Sequence, residues 1–249
     1  MKINRFQTLR FKLSLIIILF ALVPVLVISF VTINKMEVNT ISEQKKSAEN
    51  QLSLVSDNVD VVFSDMQNNV SYFAGSKNVK LSDGTISSYT SNSGTKAMTP
   101  SRNGGIEQDI FESFKEFGVT HPNYQYVYMG TEQGGYIQYP EGNMDGAFDP
   151  RQRPWYPDAV ANPNKPVLGS PYYFATDDVV IIGASQAIKN ASGKVIGVMA
   201  MDMSLDSLTS MFEEASRDFY GYYMLVGADG TILSDPSNKE NNFKNISEA

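Results

Sequence analysis

Residues 13–33, LSLIIILFALVPVLVISFVTI, run without a single charged side chain. As a helix rising about 1.5 Å per residue, a run of this length extends about 31 Å, enough for a hydrocarbon core about 30 Å thick. Ser14, Ser29 and Thr32 can turn their hydroxyls onto the helix's own carbonyls, and Pro24 is tolerated there as a kink. A cleaved leader would show an apolar core of about 7–15 residues and a small-x-small cleavage site. This run is longer, and the following VISFVTINKM offers no such site, so an uncleaved anchor is expected. Lys2, Arg5, Arg10 and Lys12 precede it with no acid among residues 1–12. The positive-inside rule then keeps residues 1–12 in the cytoplasm and places everything from about Asn34 outside. The expected location is the cell membrane, with one pass in this chain.

Composition narrows the chemistry. The formal charge is −7, from 20 Lys+Arg against 27 Asp+Glu, and beyond residue 12 the other 16 bases face all 27 acids. A nucleic-acid binder would carry a basic face instead. With no Cys there are no disulfides, thiolate metal sites or cysteine nucleophiles. With His121 as the sole imidazole, a Ser-His-Asp triad or a multi-His metal site has very little to build from, which counts against a membrane-anchored hydrolase. No catalysis, cofactor or metal is expected.

Residues 34–75 contain no Pro, and no Gly before Gly75. Apolar residues recur at Ile41, Ala48, Leu52, Val55, Val59, Val62, Met66, Val70 and Phe73, close to a heptad seam. The spacing predicts a stalk helix continuing from the membrane span, open to pairing with a second copy. An amphipathic helix packed on its own domain fits the same seam.

Residues 76–216 read as an α+β module. Residues 76–105 are rich in Ser, Thr, Asn and Gly and read as a loop. Ile106, Ile110, Phe111, Phe114 and Phe117 predict a helix stopping at Gly118. Residues 124–129 alternate as a strand with Tyr124, Tyr126 and Tyr128 on one face, and residues 136–139 return after a glycine turn. Pro154 sits where a helix can start. Strands are expected at 172–176, 179–188 and 195–203, with a helix at 205–216. Helices gathered before a run of strands predict an antiparallel sheet, not a βαβ nucleotide fold, and no phosphate-loop motif is present. From Tyr220 the strand, glycine turn and strand theme restarts, so residues 217–249 are expected to begin a second module that the chain does not complete.

The densest chemistry lies in Phe148-Asp-Pro-Arg-Gln-Arg-Pro-Trp-Tyr156. Arg151 and Arg153 can grip a carboxylate through charge-assisted bonds. Trp155 and Tyr156 offer flat walls, and aromatic faces stabilise an ammonium. Tyr128 and Tyr172 lie on strands able to border the same pocket. Asp202 is a charge inside an apolar strand, costly to bury unless paired. This set suits a zwitterionic small molecule; an Arg153–Asp202 structural ion pair in an aromatic core suits it equally.

The order of these elements resembles the extracellular double-Cache sensor of methyl-accepting chemotaxis proteins. The likeness runs through a transmembrane helix, a long helix, tyrosine-rich strands, F-D-P-R-Q-R-P-W-Y, S-P-Y-Y and G-V-M-A-M-D, then G-A-D-G-T-I-L-S-D-P. It implies a PAS-like, membrane-distal Cache module that binds a small molecule, an amino acid or related carboxylate, and signals across the membrane as a homodimer. By the same resemblance Arg153, helped by Trp155, would take the ligand carboxylate. Tyr156, Tyr172 and Asp202 would surround the amine, and Tyr128 would line the pocket. Phe148 and Phe174 stand where that family's amino-acid binders carry Tyr and Asp, which removes a hydroxyl and a charge and opens the site to a less polar amino acid, a plain carboxylate or a different ligand. The same sensor on a histidine kinase or cyclic-dinucleotide enzyme is the alternative.

Overall fold

The structure, a computed structural model, describes residues 9–82, 84–174, 179–215 and 222–248. Helix α1 (Leu9–Gly75) is continuous through Pro24 and belongs to two compact units, residues 1–54 and 55–249. In the first unit, residues 11–33 present their apolar side chains outward. Among the described residues one helix, near the N-terminus, is long and apolar enough to cross a membrane.

In the second unit, the end of α1 is followed by α2 (Lys77–Lys80), β1 (Thr95–Ala97) and α3 (Gly105–Thr120). Then come β2 (Tyr124–Thr131), β3 (Tyr136–Tyr139), β4 (Asn143–Asp145) and α4 (Trp155–Ala161). The chain continues through β5 (Val167–Leu168), β6 (Tyr172–Phe174), β7 (Val179–Lys189), β8 (Val195–Ser204) and α5 (Leu205–Ala215). A short hairpin, β9 (Leu225–Val226) with β10 (Ile232–Ser234), follows, and then a 3-10 turn at Lys239–Asn241. The main sheet is antiparallel throughout, in the order β3-β2-β8-β7-β5, with β6 also on β7. This is the mixed α+β, PAS-like architecture that the sequence predicts.

Strand alternation gives the sheet two unlike faces. On one, Val127, Met129, Ile137, Met199 and Met201 pack against Met66, Val70 and Phe73 of α1 and Ile110, Phe111 and Phe114 of α3. Burying each such side chain contributes about 1.5–3 kcal/mol. The seam from Val55 onward therefore packs against the chain's own core, while Ile41 and Leu52 are exposed. Tyr126, Tyr128, Ala200 and Asp202 point to the other face.

Several sequence expectations are corrected. Tyr124 does not share a face with Tyr126 and Tyr128. The register with β8 shifts between Tyr124 and Tyr126, so the Tyr124 ring lies on Phe117, at 5.2 Å, and its hydroxyl accepts from Asn69 Nδ2 at 3.0 Å. Helix α3 passes Gly118 and ends at Thr120. A Cβ at Gly118 would overlap the Tyr139 ring, so this glycine serves helix–sheet packing instead of ending the helix. His121 caps α3 with its ring stacked on Phe117. Residues 76–105 are not a loose loop: Val79, Ile86, Tyr89 and Met98 are buried, and β1 pairs with β4. Asp177 and Asp178, between the expected strands 172–176 and 179–188, and the ends of the 172–176 strand and the 205–216 helix lie outside the described residues.

Candidate ligand-binding site

Cross-strand register builds the floor of the site. On β2 and β8, Tyr126 faces Asp202 and Tyr128 faces Ala200; on β7, Gly183 faces Asp202 from the other side. A Cβ at Gly183 would overlap Asp202 Oδ1, so glycine is required there for the carboxylate to lie on the sheet. Gly130 plays the matching part for the R-Q-R-P-W segment, since its Cβ would come within 2.6 Å of Pro150 and 3.1 Å of Trp155.

Asp202 is only 4% exposed, and its Oδ1 accepts a hydrogen bond from the Tyr128 hydroxyl at 3.0 Å. Burial pushes its carboxyl up to about 7, with the hydroxyls of Tyr128 and Tyr172 pulling the other way. The Tyr128 and Tyr136 phenols are raised well above their ordinary value, first by burial and then by the nearby Asp202 charge. Tyr172 is raised by the same two causes. No described cation pairs with Asp202. The Arg153–Asp202 structural pair is therefore not formed.

An aromatic cluster surrounds this carboxylate. Buried Tyr89, Met98, Tyr128, Tyr136 and Met144 pack together, with Tyr126, Phe148 and Trp155 against them. Trp155 meets Tyr128 edge-on at 5.0 Å, and Phe148 lies 4.7 Å from the Tyr136 ring. Asp149 caps its short 3-10 turn by accepting from the Arg151 amide, and binds the Arg151 guanidinium through both oxygens. That bond holds the Asp149 carboxyl below its usual range. Of the two arginines Arg151 is thus engaged, while Arg153 lies exposed at the edge of the cluster with its guanidinium 4.7 Å from the Phe148 ring centre.

The structure brings Tyr128, Phe148, Trp155 and Asp202 together, with Arg153 at the edge and Tyr172, 43% exposed, within reach of the same charge. Tyr156 is buried in a separate cluster with Ala159 and Val198, where burial raises its phenol to about 12. The side chain of Phe174 lies outside the described residues. Sequence reasoning missed Gly183, Tyr89 and Tyr136. A glycine inside an otherwise apolar strand is the signal that could have flagged the first.

Residues 106–210 match the family described as methyl-accepting chemotaxis protein-like, first PDC sensor domain. This segment is thus similar to the first PDC sensor domain of methyl-accepting chemotaxis proteins. Over 124 residues, half of this chain and 19% of the relative, the chain is 33% identical to methyl-accepting chemotaxis protein McpA of Pseudomonas putida. The chain spans about a fifth of the length of the curated relatives it matches. Among solved structures it is similar to the ligand-binding domain of Pseudomonas fluorescens chemoreceptor CtaA. The complex with L-isoleucine superposes with a TM-score of 0.59 at 26% identity, over 84% of this chain and 76% of that one. The complex with L-serine gives a TM-score of 0.58 at 26% identity, over 79% and 73%.

Proposed function

We propose that this PDC domain is the extracytoplasmic sensor of a chemotaxis receptor and that it binds an amino acid or related small carboxylate without transforming it. The observation that carries the reading is Asp202, a buried carboxylate with no described cation beside it, facing an aromatic cluster. An ammonium is the natural complement, because it supplies the missing charge and gains from the aromatic faces. Arg153 at the rim would take the ligand's carboxylate, and Phe148 beneath it adds no polar group, which favours ligands with uncharged side chains. Trp155, Tyr128 and Tyr172 would line the pocket, with Tyr156 supporting the loop from behind.

Further parts of the proposal rest on the sequence. The basic residues before the apolar run support an N-terminus in the cytoplasm and a sensor outside. The exposed seam residues Ile41 and Leu52 support a homodimer. A second module after the first is supported by the β9–β10 hairpin. Ligand binding would bias the sensor between two states by no more than its difference in affinity for them.

The deciding experiment is a thermal-shift screen of the full chain in detergent against amino acids, simple amines and simple carboxylates, with Arg153→Ala in parallel. A compound at about 100 times its dissociation constant should add about 2.7 kcal/mol of stability. An amino-acid hit that disappears in Arg153→Ala supports the reading. A folded protein with no hit in any class refutes it.

A further inference from the structure

We propose that Glu107 is a positioning residue for this site: through Ser87 it ties residues 87–90 to α3 and holds the Tyr89–Phe148 wall over the sheet. The inference deepens the ligand-binding reading and rests on it for its functional consequence.

Glu107 lies in the first turn of α3 and is 4% exposed. Both of its oxygens are used. Oε2 accepts from the Ser87 amide at 3.2 Å and from Ser87 Oγ at 3.0 Å, and Oε1 accepts from Asn103 Nδ2 at 2.9 Å. Asn103 Nδ2 also reaches Ser87 Oγ, at 3.2 Å, closing a small ring of polar groups. A buried carboxylate is costly, and an apolar residue would serve a core position with less penalty. All the bonds that offset this cost go to the 87–103 segment.

That segment is the cover of the site. The Tyr136 amide donates to Ser87 O at 2.9 Å and the Phe148 amide to Tyr89 O at 3.0 Å. Ser88 bridges to Gly135 and Tyr89 to Phe148, both antiparallel. Residues 87–90 thus act as an added strand that joins the edge of β3 to the loop bearing Phe148 and Arg153. Tyr89, the buried residue of that strand, is part of the aromatic cluster. Helix α3, meanwhile, packs Phe114 and Phe117 on Phe73 of α1, at 5.5 and 5.3 Å. One carboxylate therefore links the cover on one face of the sheet to the helix pair on the other.

The test compares the full chain in detergent with Glu107→Ala and Glu107→Gln, reading amide exchange first and L-isoleucine affinity second. In Glu107→Ala, exchange at the Tyr136 and Phe148 amides should accelerate while Met129 and Met199, in the middle of the sheet, stay protected. L-isoleucine should bind about tenfold more weakly, the scale of losing hydrogen bonds to a charged group. Glu107→Gln keeps an acceptor for Ser87 and should recover most of both. Uniform acceleration, or none, overturns the tie. Localised acceleration with unchanged L-isoleucine affinity overturns the positioning role. Failure of L-isoleucine to bind the unaltered chain counts against the amino-acid reading instead, and the exchange pattern alone then decides the tie.

Discussion

The two faces of the main sheet are made from the same strands and have opposite chemistry. On β2 and β8, Val127, Met129, Met199 and Met201 face the helices, and every one is buried in apolar company. One residue along, Tyr128, Ala200 and Asp202 face the R-Q-R-P-W loop, with Gly183 and Ser185 opposite on β7. The helix face maximises burial. The loop face accepts small residues, phenols and a buried charge, none of which a stability argument would choose. That cost is what supports the proposal that ligand binds on this face.

Four substitutions would sharpen or break that contrast. The largest effect is expected from Phe114→Ala, which empties the centre of the helix face. It should cost about 3–5 kcal/mol of unfolding free energy in urea titration. A cost no larger than that of a surface change would remove the distinction between the faces.

Asp202→Asn should do the reverse and stabilise the unliganded protein. A folded carboxyl near 7 against an unfolded value of about 3.9 means the folded state holds its proton more tightly. The native protein should therefore lose stability as pH rises from about 4 to about 7, with the full penalty present above that. At about 1.36 kcal/mol per unit, the penalty is on the order of 4 kcal/mol. Melting temperatures taken at pH 5 and pH 8 should show a larger advantage of Asp202→Asn at pH 8. Equal advantage at both values would mean Asp202 does not ionise in this window. For an ammonium ligand the sign is complementary: binding needs the carboxylate, so affinity should fall as pH drops below about 7, approaching about tenfold per pH unit.

Gly183→Ala places a Cβ where Asp202 Oδ1 lies. A destabilisation of about 1–3 kcal/mol is expected, together with loss of amino-acid binding as the carboxylate is displaced. Calorimetric titration that finds binding intact would show that the carboxylate need not lie over β7. Arg153→Ala closes the series, with a change in stability within about 0.5 kcal/mol for an exposed side chain and binding of carboxylates abolished. Unaltered carboxylate affinity would take Arg153 out of the site.

Much of this arrangement was legible along the chain. The uncharged 21-residue run, the helical spacing of α3 and the alternation of β2 fixed element types, because each records a local burial pattern. Asp202 stood out as the one charge in an apolar strand, and the R-Q-R-P-W segment by its density of chemistry. Other features left no local trace. A one-residue register shift moved Tyr124 to the opposite face, and only the pairing with β8 reveals it. Gly118 read as a helix stop because its real partner, the Tyr139 ring, comes from a strand distant in sequence. Residues 76–105 read as loop because their order comes from β3, β4 and Glu107 and not from any periodicity of their own.

The sequence by itself determined the apolar span, the α+β succession and the residue types available for recognition, all consequences of nearest-neighbour sterics and of one-dimensional hydrophobic pattern. The tertiary structure alone decided which arginine is committed to Asp149, that Asp202 lies between a tyrosine and a glycine without a described cation, and that Glu107 holds the cover. Those outcomes depend on cross-strand register and on the burial of single polar groups, and both arise only when segments far apart in the chain are packed together.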